Sequence, residues 1–247
     1  MKLVHLGSIP RTSYEGISVH ASPGVHEAAA ARLQAVARPP ALVLDVACGQ
    51  GAFMRRLMQL GYRAFGMDLV DDAKSNVVEA EVRAIDLDDP VALRDVSSEL
   101  AGQFDAVVSL ETIEHLKAPW MFLDFCVRVL KDDGHLILST PNVSTLASRM
   151  LFLYSGRFML FGDKNARTMG HINPLPSWEI ELMLQSVGLI SVSREGVGSI
   201  PLVWLQPSPL RTAQWLLAMM MGLPLYPLLR GPKQGWVLLY SAQKQAP

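Results

Sequence analysis

The sequence predicts an α/β fold in which a mostly parallel β-sheet is covered by helices on both faces. Three observations support this prediction. Short apolar segments of strand length alternate with amphipathic segments of helix length. The apolar run at 42–46 leads directly into a glycine-containing turn at the start of a helical pattern. The segment 104–110 is largely apolar, as is typical of a central parallel strand.

Length and composition restrict the class of protein. The 247 residues fit one large domain, here predicted over 1–247, and 50% of them are hydrophobic, with a mean hydropathy of +0.23. The net charge of −1 gives no overall field that would attract nucleic acid or anionic lipid, which leaves only local patches, and nucleic acid is not expected as a partner. Two cysteines are too few for a disulfide scaffold. The first residues lack the apolar core of a signal peptide, so a cytoplasmic location is expected.

The first half of the chain gives three strands. Residues 1–21 show no periodicity and are predicted to form an arm, followed by a covering helix that starts with Ser22 as N-cap and Pro23 at its first position and ends before residue 40. Strands are predicted at 42–46, 63–67 and 82–85, with helices at 51–60 and 71–81 between them.

The second half continues the alternation. Helices are predicted at 90–101, 114–130 and 178–187, and strands at 104–110, 135–139, 189–193 and 236–241. The helix at 178–187 has Ser177 as its expected N-cap and Gly188 after its end.

The turn after the first of these strands is the first candidate site. Asp45 precedes Gly49 and Gly51, and a helix N-terminus offers backbone N–H groups to a ligand. A dinucleotide-binding turn would need a third glycine where Met54 stands, which argues against NAD. Asp68, at the end of the next strand, is suited to accept hydrogen bonds from ribose hydroxyls.

This arrangement resembles class I S-adenosylmethionine (SAM) methyltransferases, although Ala47 stands where that family usually has glycine. The resemblance covers about the first 140 residues. It implies a Rossmann-like seven-stranded sheet of order 3-2-1-4-5-7-6 with the last strand antiparallel, a SAM-binding core at 41–140, and S-adenosylhomocysteine (SAH) as a product. It implies that Asp86 contacts adenine, and that the cofactor-binding residues are Asp45, Ala47, Gly49, Gly51, Asp68, Leu69, Asp86, Leu87, Ser109 and Leu110.

A second motif follows the strand at 104–110. Glu111, Glu114 and His115 form E-x-x-E-H, and His171 lies 56 residues after His115. A glutamate at this position can simply favour a helix start, with the histidine lining a pocket. The full pattern also resembles two metal-assisted groups, the ubiquinone-biosynthesis O-methyltransferases and the small-RNA 2′-O-methyltransferases. The resemblance implies a divalent metal on these four residues; without a metal, His115 or His171 is the candidate catalytic base.

Two segments, 141–176 and 198–232, are unusually apolar and are predicted to be insertions or lids. The run at 212–229 carries no charge, but Pro224 and Pro227 interrupt it. If this run crossed a membrane once, the two last strands, which belong to one sheet, would lie on opposite sides of the membrane. Three alternatives stay open for 200–229: a patch on a membrane surface, a lid over a lipid-like substrate, and a homodimer interface.

The predicted function is SAM-dependent O-methylation of a hydrophobic or membrane-associated small molecule, such as a quinone precursor, a lipid or a lipid-linked glycan. The protein would then lie in the cytoplasm or at the inner face of the membrane. One alternative is a metal-assisted RNA 2′-O-methyltransferase, although the sequence lacks a patch of interleaved basic and aromatic residues that would bind RNA phosphates. The other is a non-catalytic SAM-binding protein, which only Ala47 suggests.

Overall fold

A computed structural model describes residues 12–198, 208–232 and 234–246. Most of its strands belong to one seven-stranded sheet, and two form a small hairpin. In chain order the described strands are β1 (Thr12–Tyr14), β2 (Ile17–Val19), β3 (Leu42–Val46), β4 (Arg63–Asp68), β5 (Glu81–Ala84), β6 (Phe104–Leu110), β7 (Leu130–Pro141), β8 (Leu189–Val197) and β9 (Val237–Lys244).

The strand order of the large sheet is β5-β4-β3-β6-β7-β9-β8. Strand β9 is antiparallel to both of its neighbours, and the other neighbouring strands are parallel. With the hairpin left aside, this is the predicted order 3-2-1-4-5-7-6, and the prediction is confirmed. The carboxyl ends of β3, β4, β5 and β6 meet at one edge of the sheet. The strand order changes direction between β3 and β6, and open α/β sheets bind ligands at such a topological switch point.

Eight α-helices occur in the described ranges and cover the sheet on both faces. They are α1 (Val25–Val36), α2 (Ala52–Gln59), α3 (Pro90–Glu99), α4 (Pro119–Val129), α5 (Leu146–Ser155), α6 (Asp163–Thr168), α7 (Ser177–Ser186) and α8 (Pro209–Gly222). One core lies under α3, α4 and α7, and the other lies under α1, α2, α5 and α8. The segment containing α8 is therefore packed on the same face as the covering helix α1.

Two of the helices predicted between β4 and β7 differ from the structure. The helix expected at 71–81 is only a short 3-10 turn at Asp72–Ser75, because Asn76 and the β-branched pair Val77–Val78 are poor helix formers just before β5. The helix expected at 114–130 starts at Pro119, which occupies a first-turn position as proline prefers. The residues Ile113–His115 form a separate 3-10 turn.

The N-terminal part is more ordered than the absence of periodicity suggested. The predicted arm contains the β1–β2 hairpin, whose turn residues Glu15 and Gly16 both have positive φ angles of 49° and 81°. Helix α1 begins at Val25 and not at Pro23, because Gly24 is in the left-handed region at φ 87°. The first part of the arm, 1–11, and the stretch 199–207 of the second insertion lie outside the described residues.

Candidate active site

The turn after β3 has the left-handed backbone that a glycine-rich cofactor turn requires. Ala47, Gly49 and Gly51 have φ angles of 63°, 54° and 88°. Ala47 thus adopts a left-handed conformation that glycine reaches more easily, at a cost of about 1–2 kcal/mol for a residue with a Cβ. A Cβ on Gly51 would also lie 3.2 Å from the Cβ of Ala73 and 3.1 Å from a methyl group of Val77, so this position is closed to larger residues.

Asp68, at the end of β4, fixes this turn to the neighbouring strand. Its carboxylate accepts a hydrogen bond from the Gly49 N–H at 2.7 Å and another from the Leu69 N–H at 2.7 Å. Each carboxylate oxygen has a second lone pair. The carboxylate is therefore held in one orientation, and its free lone pairs can still accept the predicted hydrogen bonds from the ribose hydroxyls.

A cavity of about 840 Å³ opens at this edge of the sheet, within the range of small-molecule sites. Of the predicted cofactor-binding residues, eight line it: Asp45, Ala47, Gly49, Asp68, Leu69, Asp86, Leu87 and Leu110. Gly51 caps the start of α2 and Ser109 is fully buried within β6, and neither is among the lining residues.

Asp45 is a buried acid facing this cavity. Its side chain is 2% exposed, and its Oδ2 has no hydrogen-bond partner among the described residues. Burial, followed by the nearby charge of Asp68, raises the pKa of Asp45 from 3.8 to about 8. Without a ligand, the carboxyl is therefore largely protonated at pH 7.

Three of the four predicted metal ligands come together beside the cavity. Ligand atoms of Glu114, His115 and His171 lie within 4.8 Å of one another. His115 and His171 line the cavity, and Glu114 is fully buried beside them. One oxygen of Glu114 accepts a hydrogen bond from the Thr140 hydroxyl at 3.0 Å. Its Oε1 and the Nδ1 of His171 are both buried, without a partner among the described residues.

Burial changes the protonation of this cluster. Burial lowers the pKa of His115. Burial, followed by the electrostatic effect of the neighbouring His115, lowers the pKa of His171 to about 4. Burial and the nearby Glu111 raise the pKa of Glu114 to about 8. Both imidazoles are therefore neutral at pH 7, the form that can accept a proton or ligate a metal. The unpartnered Glu114 oxygen and His171 nitrogen fit a divalent metal with mixed oxygen and nitrogen ligands.

Glu111, the fourth predicted ligand, is held differently. Its carboxylate accepts hydrogen bonds from the backbone N–H of Ser22 and from the Ser22 hydroxyl, the latter at 2.8 Å. Its backbone is in the left-handed region at φ 51°, where a non-glycine residue is strained. The structure thus brings Glu111 to the cavity, and its carboxylate connects the strand edge to the N-terminal segment.

The N-terminal segment supplies lining residues that were not predicted as site residues. Ser18 to Ser22 pass over the glycine turn, and His26, Phe53 and Trp236 complete that side of the cavity. His20 and His26 are among these lining residues. Their histidine side chains were the only signal in the sequence, since a segment without periodicity does not show what it covers.

Comparisons with known proteins show what the chain is similar to. The family described as Methyltransferase domain matches residues 21–193. The ubiquinone biosynthesis O-methyltransferase of Xanthomonas campestris pv. campestris (strain B100) is 32% identical over 162 residues, which are 62% of this chain and 66% of that protein. The human mitochondrial ubiquinone biosynthesis O-methyltransferase is 31% identical over 162 residues, covering 60% of this chain and 41% of that protein. The chain thus spans slightly less than two thirds of the bacterial relative and under half of the human one.

Solved structures show the same fold. A SAM-dependent methyltransferase from Archaeoglobus fulgidus superposes with a TM-score of 0.60 at 18% identity, covering 89% of this chain and 94% of that one. The 1,6-didemethyltoxoflavin-N1-methyltransferase of Burkholderia thailandensis, solved with bound 1,6-didemethyltoxoflavin and SAH, superposes with a TM-score of 0.55 at 16% identity, covering 91% of this chain and 80% of that one. At these identities the likeness establishes the fold alone.

Proposed function

Because the chain belongs to the methyltransferase domain family, a family of SAM-dependent enzymes, we propose that it methylates an oxygen atom of a hydrophobic small molecule such as a quinone precursor. The observation that carries this proposal is the Glu114, His115 and His171 cluster, which adjoins the cavity lined by the predicted SAM-binding residues. The relatives named as ubiquinone biosynthesis O-methyltransferases support an oxygen acceptor.

The chemistry needs positioning and the removal of one proton. The sulfonium of SAM is already reactive, so holding the acceptor oxygen, the methyl carbon and the sulfur in line supplies much of the rate enhancement. A phenol with a pKa near ~10 needs modest help to lose its proton. His115 and His171 line the cavity as neutral imidazoles, and either can accept that proton.

A divalent metal is compatible with the same residues. Glu114, His115 and His171 would hold it, and the metal would supply Lewis-acid activation of the acceptor oxygen. Glu111 would join them only if its carboxylate left Ser22. An acceptor with two adjacent oxygens, as in a catechol, is the class that such a site would favour.

We expect His115→Ala and His171→Ala to lower kcat about 100-fold or more with a short-chain prenylated catechol as acceptor, because a positioned base or metal ligand is lost. The affinity for SAH should stay unchanged. Steady-state assays and SAH titrations measure the two effects, and His135→Ala, on β7 away from the cavity lining, is the matched control.

Two further measurements decide between the alternatives. Loss of wild-type activity in a chelator and its return with Mn²⁺ would indicate the metal, and chelator-insensitive activity would indicate a protein base. Unchanged kcat in both histidine variants would contradict the proposed role of the cluster. Faster transfer to a short RNA than to the catechol would contradict the proposed substrate class.

The partner surface proposed for this enzyme is a membrane containing anionic lipid. No helix in the described ranges is long and apolar enough to cross a bilayer. Helix α8 is anchored by the buried Trp215 and Met219 and packs on α5, where Gly222 fits against Met150. The outward side chains of this pair and of the following 3-10 turn Leu223–Leu228 form the α5–α8 patch: Phe152, Leu153, Tyr154, Leu210, Leu216, Leu217, Met220, Met221, Leu223, Leu225 and Leu228.

Charge supports an anionic surface as the partner of the patch. The segments 143–171 and 208–232 together contain six basic residues and one acidic residue, although the whole chain has a net charge of −1. The segment after α5, which includes α6, also leads from the patch to the cavity, since Leu160, Thr168 and Met169 line the cavity. A lipid-like acceptor could therefore enter from the membrane side.

Replacing two patch residues on one face of α8, Leu217→Glu with Met221→Glu, should lower binding to vesicles of phosphatidylglycerol and phosphatidylcholine at least about tenfold. Co-sedimentation measures this, and Val78→Glu, which is exposed outside the patch, is the control. Unchanged vesicle binding, together with conversion of a dimer to a monomer in analytical ultracentrifugation, would assign the patch to a homodimer interface instead.

A further inference from the structure

His26 is a buried polar residue that the chemistry described above does not use. It lies in the first turn of α1, is 7% exposed, and lines the cavity. Its Nδ1 is buried and has no hydrogen-bond partner among the described residues. The ring lies edge-on against Phe53, with the centroids 5.0 Å apart, so packing fixes its position. A fixed, unsatisfied imidazole at a cavity wall is suited to bind part of the ligand.

The position of His26 in the sheet indicates which part of the ligand it meets. Asp68, the predicted ribose contact, ends β4, and Asp86, the predicted adenine contact, follows β5; both strands lie on one side of β3. Helix α1 packs on β6, β7 and β9, on the other side of β3. A SAM molecule with its adenosine at Asp68 must direct its methionine half across the glycine turn toward the α1 side.

The electrostatic surroundings of His26 favour an anionic group. The N-terminus of α1 carries the positive end of a 12-residue helix dipole. Burial, followed by the nearby charge of Arg56, lowers the pKa of His26 to about 4. The charge of Glu27 acts in the opposite direction. Glu27 is itself paired with Arg56 at 2.7 Å. The imidazole is therefore neutral at pH 7 and has one N–H to donate.

We infer that His26 is a positioning residue that donates a hydrogen bond to the carboxylate of the methionine half of SAM. This carboxylate is the anionic group of the cofactor, and holding it would set the direction of the sulfonium toward the acceptor. The inference needs cofactor binding and is independent of the acceptor, so it does not depend on the proposed O-methylation.

The test compares SAH with 5′-methylthioadenosine, which keeps the adenosine and lacks the amino-acid half. In calorimetric titrations, His26→Ala should weaken SAH binding about 10- to 100-fold, the range for a hydrogen bond to a charged group, and leave 5′-methylthioadenosine binding unchanged. His26→Gln, which keeps an N–H donor, should recover part of the SAH affinity. His135→Ala serves as the control for a histidine away from the cavity lining.

Three results would overturn the inference. Equal weakening of both ligands would show that His26 acts by packing alone. Unchanged affinity for both would show that it does not contact the cofactor. Unchanged SAH affinity with a raised KM for the acceptor would move His26 to the acceptor site.

Discussion

Asp68→Ala should weaken SAH binding at least about 100-fold, the largest loss of affinity expected from any single change in the cavity. Two effects combine. The carboxylate is the predicted partner of both ribose hydroxyls, and charged hydrogen bonds contribute about 1.5–3 kcal/mol each. It also fixes the cofactor turn through the Gly49 N–H, and a turn that is no longer held loses its preorganised shape.

The control for Asp68 is Asp71→Ala. Asp71 is an exposed acid three residues further along, paired with Lys74 at 2.6 Å, and it does not line the cavity. Calorimetric titration with SAH should give the wild-type dissociation constant for this variant. Equal affinities for Asp68→Ala and wild type would show that the nucleotide does not lie along β4.

Asp45→Asn should affect stability and ligand binding in opposite directions. The raised pKa of Asp45 means that folding keeps a proton which the unfolded chain releases. The contribution of Asp45 to the free energy of unfolding is fully present below pH 3.8. It falls by about 1.4 kcal/mol per pH unit as the pH rises and is lost above about pH 8. Asparagine has the same shape without the proton equilibrium, so the ligand-free variant should be more stable than wild type near pH 7.

The size and the measurement follow from the same linkage. The two pKa values give an upper limit of about 4 kcal/mol at pH 7, so an increase in Tm of several degrees is expected. The difference in Tm between the variant and wild type should grow between pH 4.5 and pH 7.5. SAH binding should weaken in the variant if Asp45 ionises to meet the cofactor's ammonium group. A Tm difference that is independent of pH would contradict the protonated state of Asp45.

The fold could be predicted from the sequence because strands and strand ends carry strong local signals. The apolar runs at β3 and β6 and the acids at or just after the ends of β3, β4 and β5 indicate the places of these strands in a parallel sheet whose carboxyl ends meet. The helix predicted after β4 forms only a 3-10 turn, because Asn76, Val77 and Val78 favour a turn and an extended chain.

The site was only partly predictable, because several of its contacts join distant parts of the chain. His115 and His171 are far apart in sequence. The motif suggests that they lie close together, but only the structure gives the distance between them. The hydrogen bonds from Ser22 to Glu111 depend on the path of the N-terminal segment over the cavity. His26 gives no motif at all, and only the packing of α1 on β6 and β7 brings it to the cavity.

Identifying the methylated atom tests the proposed O-methylation most directly. Wild-type protein is incubated with SAM carrying a ¹³C methyl group and a short-chain prenylated catechol, with and without Mn²⁺, and the product is examined by NMR and mass spectrometry. We expect one labelled methyl group on a catechol oxygen, with stoichiometric SAH, and much less product from His115→Ala. Labelled methyl on carbon or nitrogen, or equal product from the variant, would contradict it.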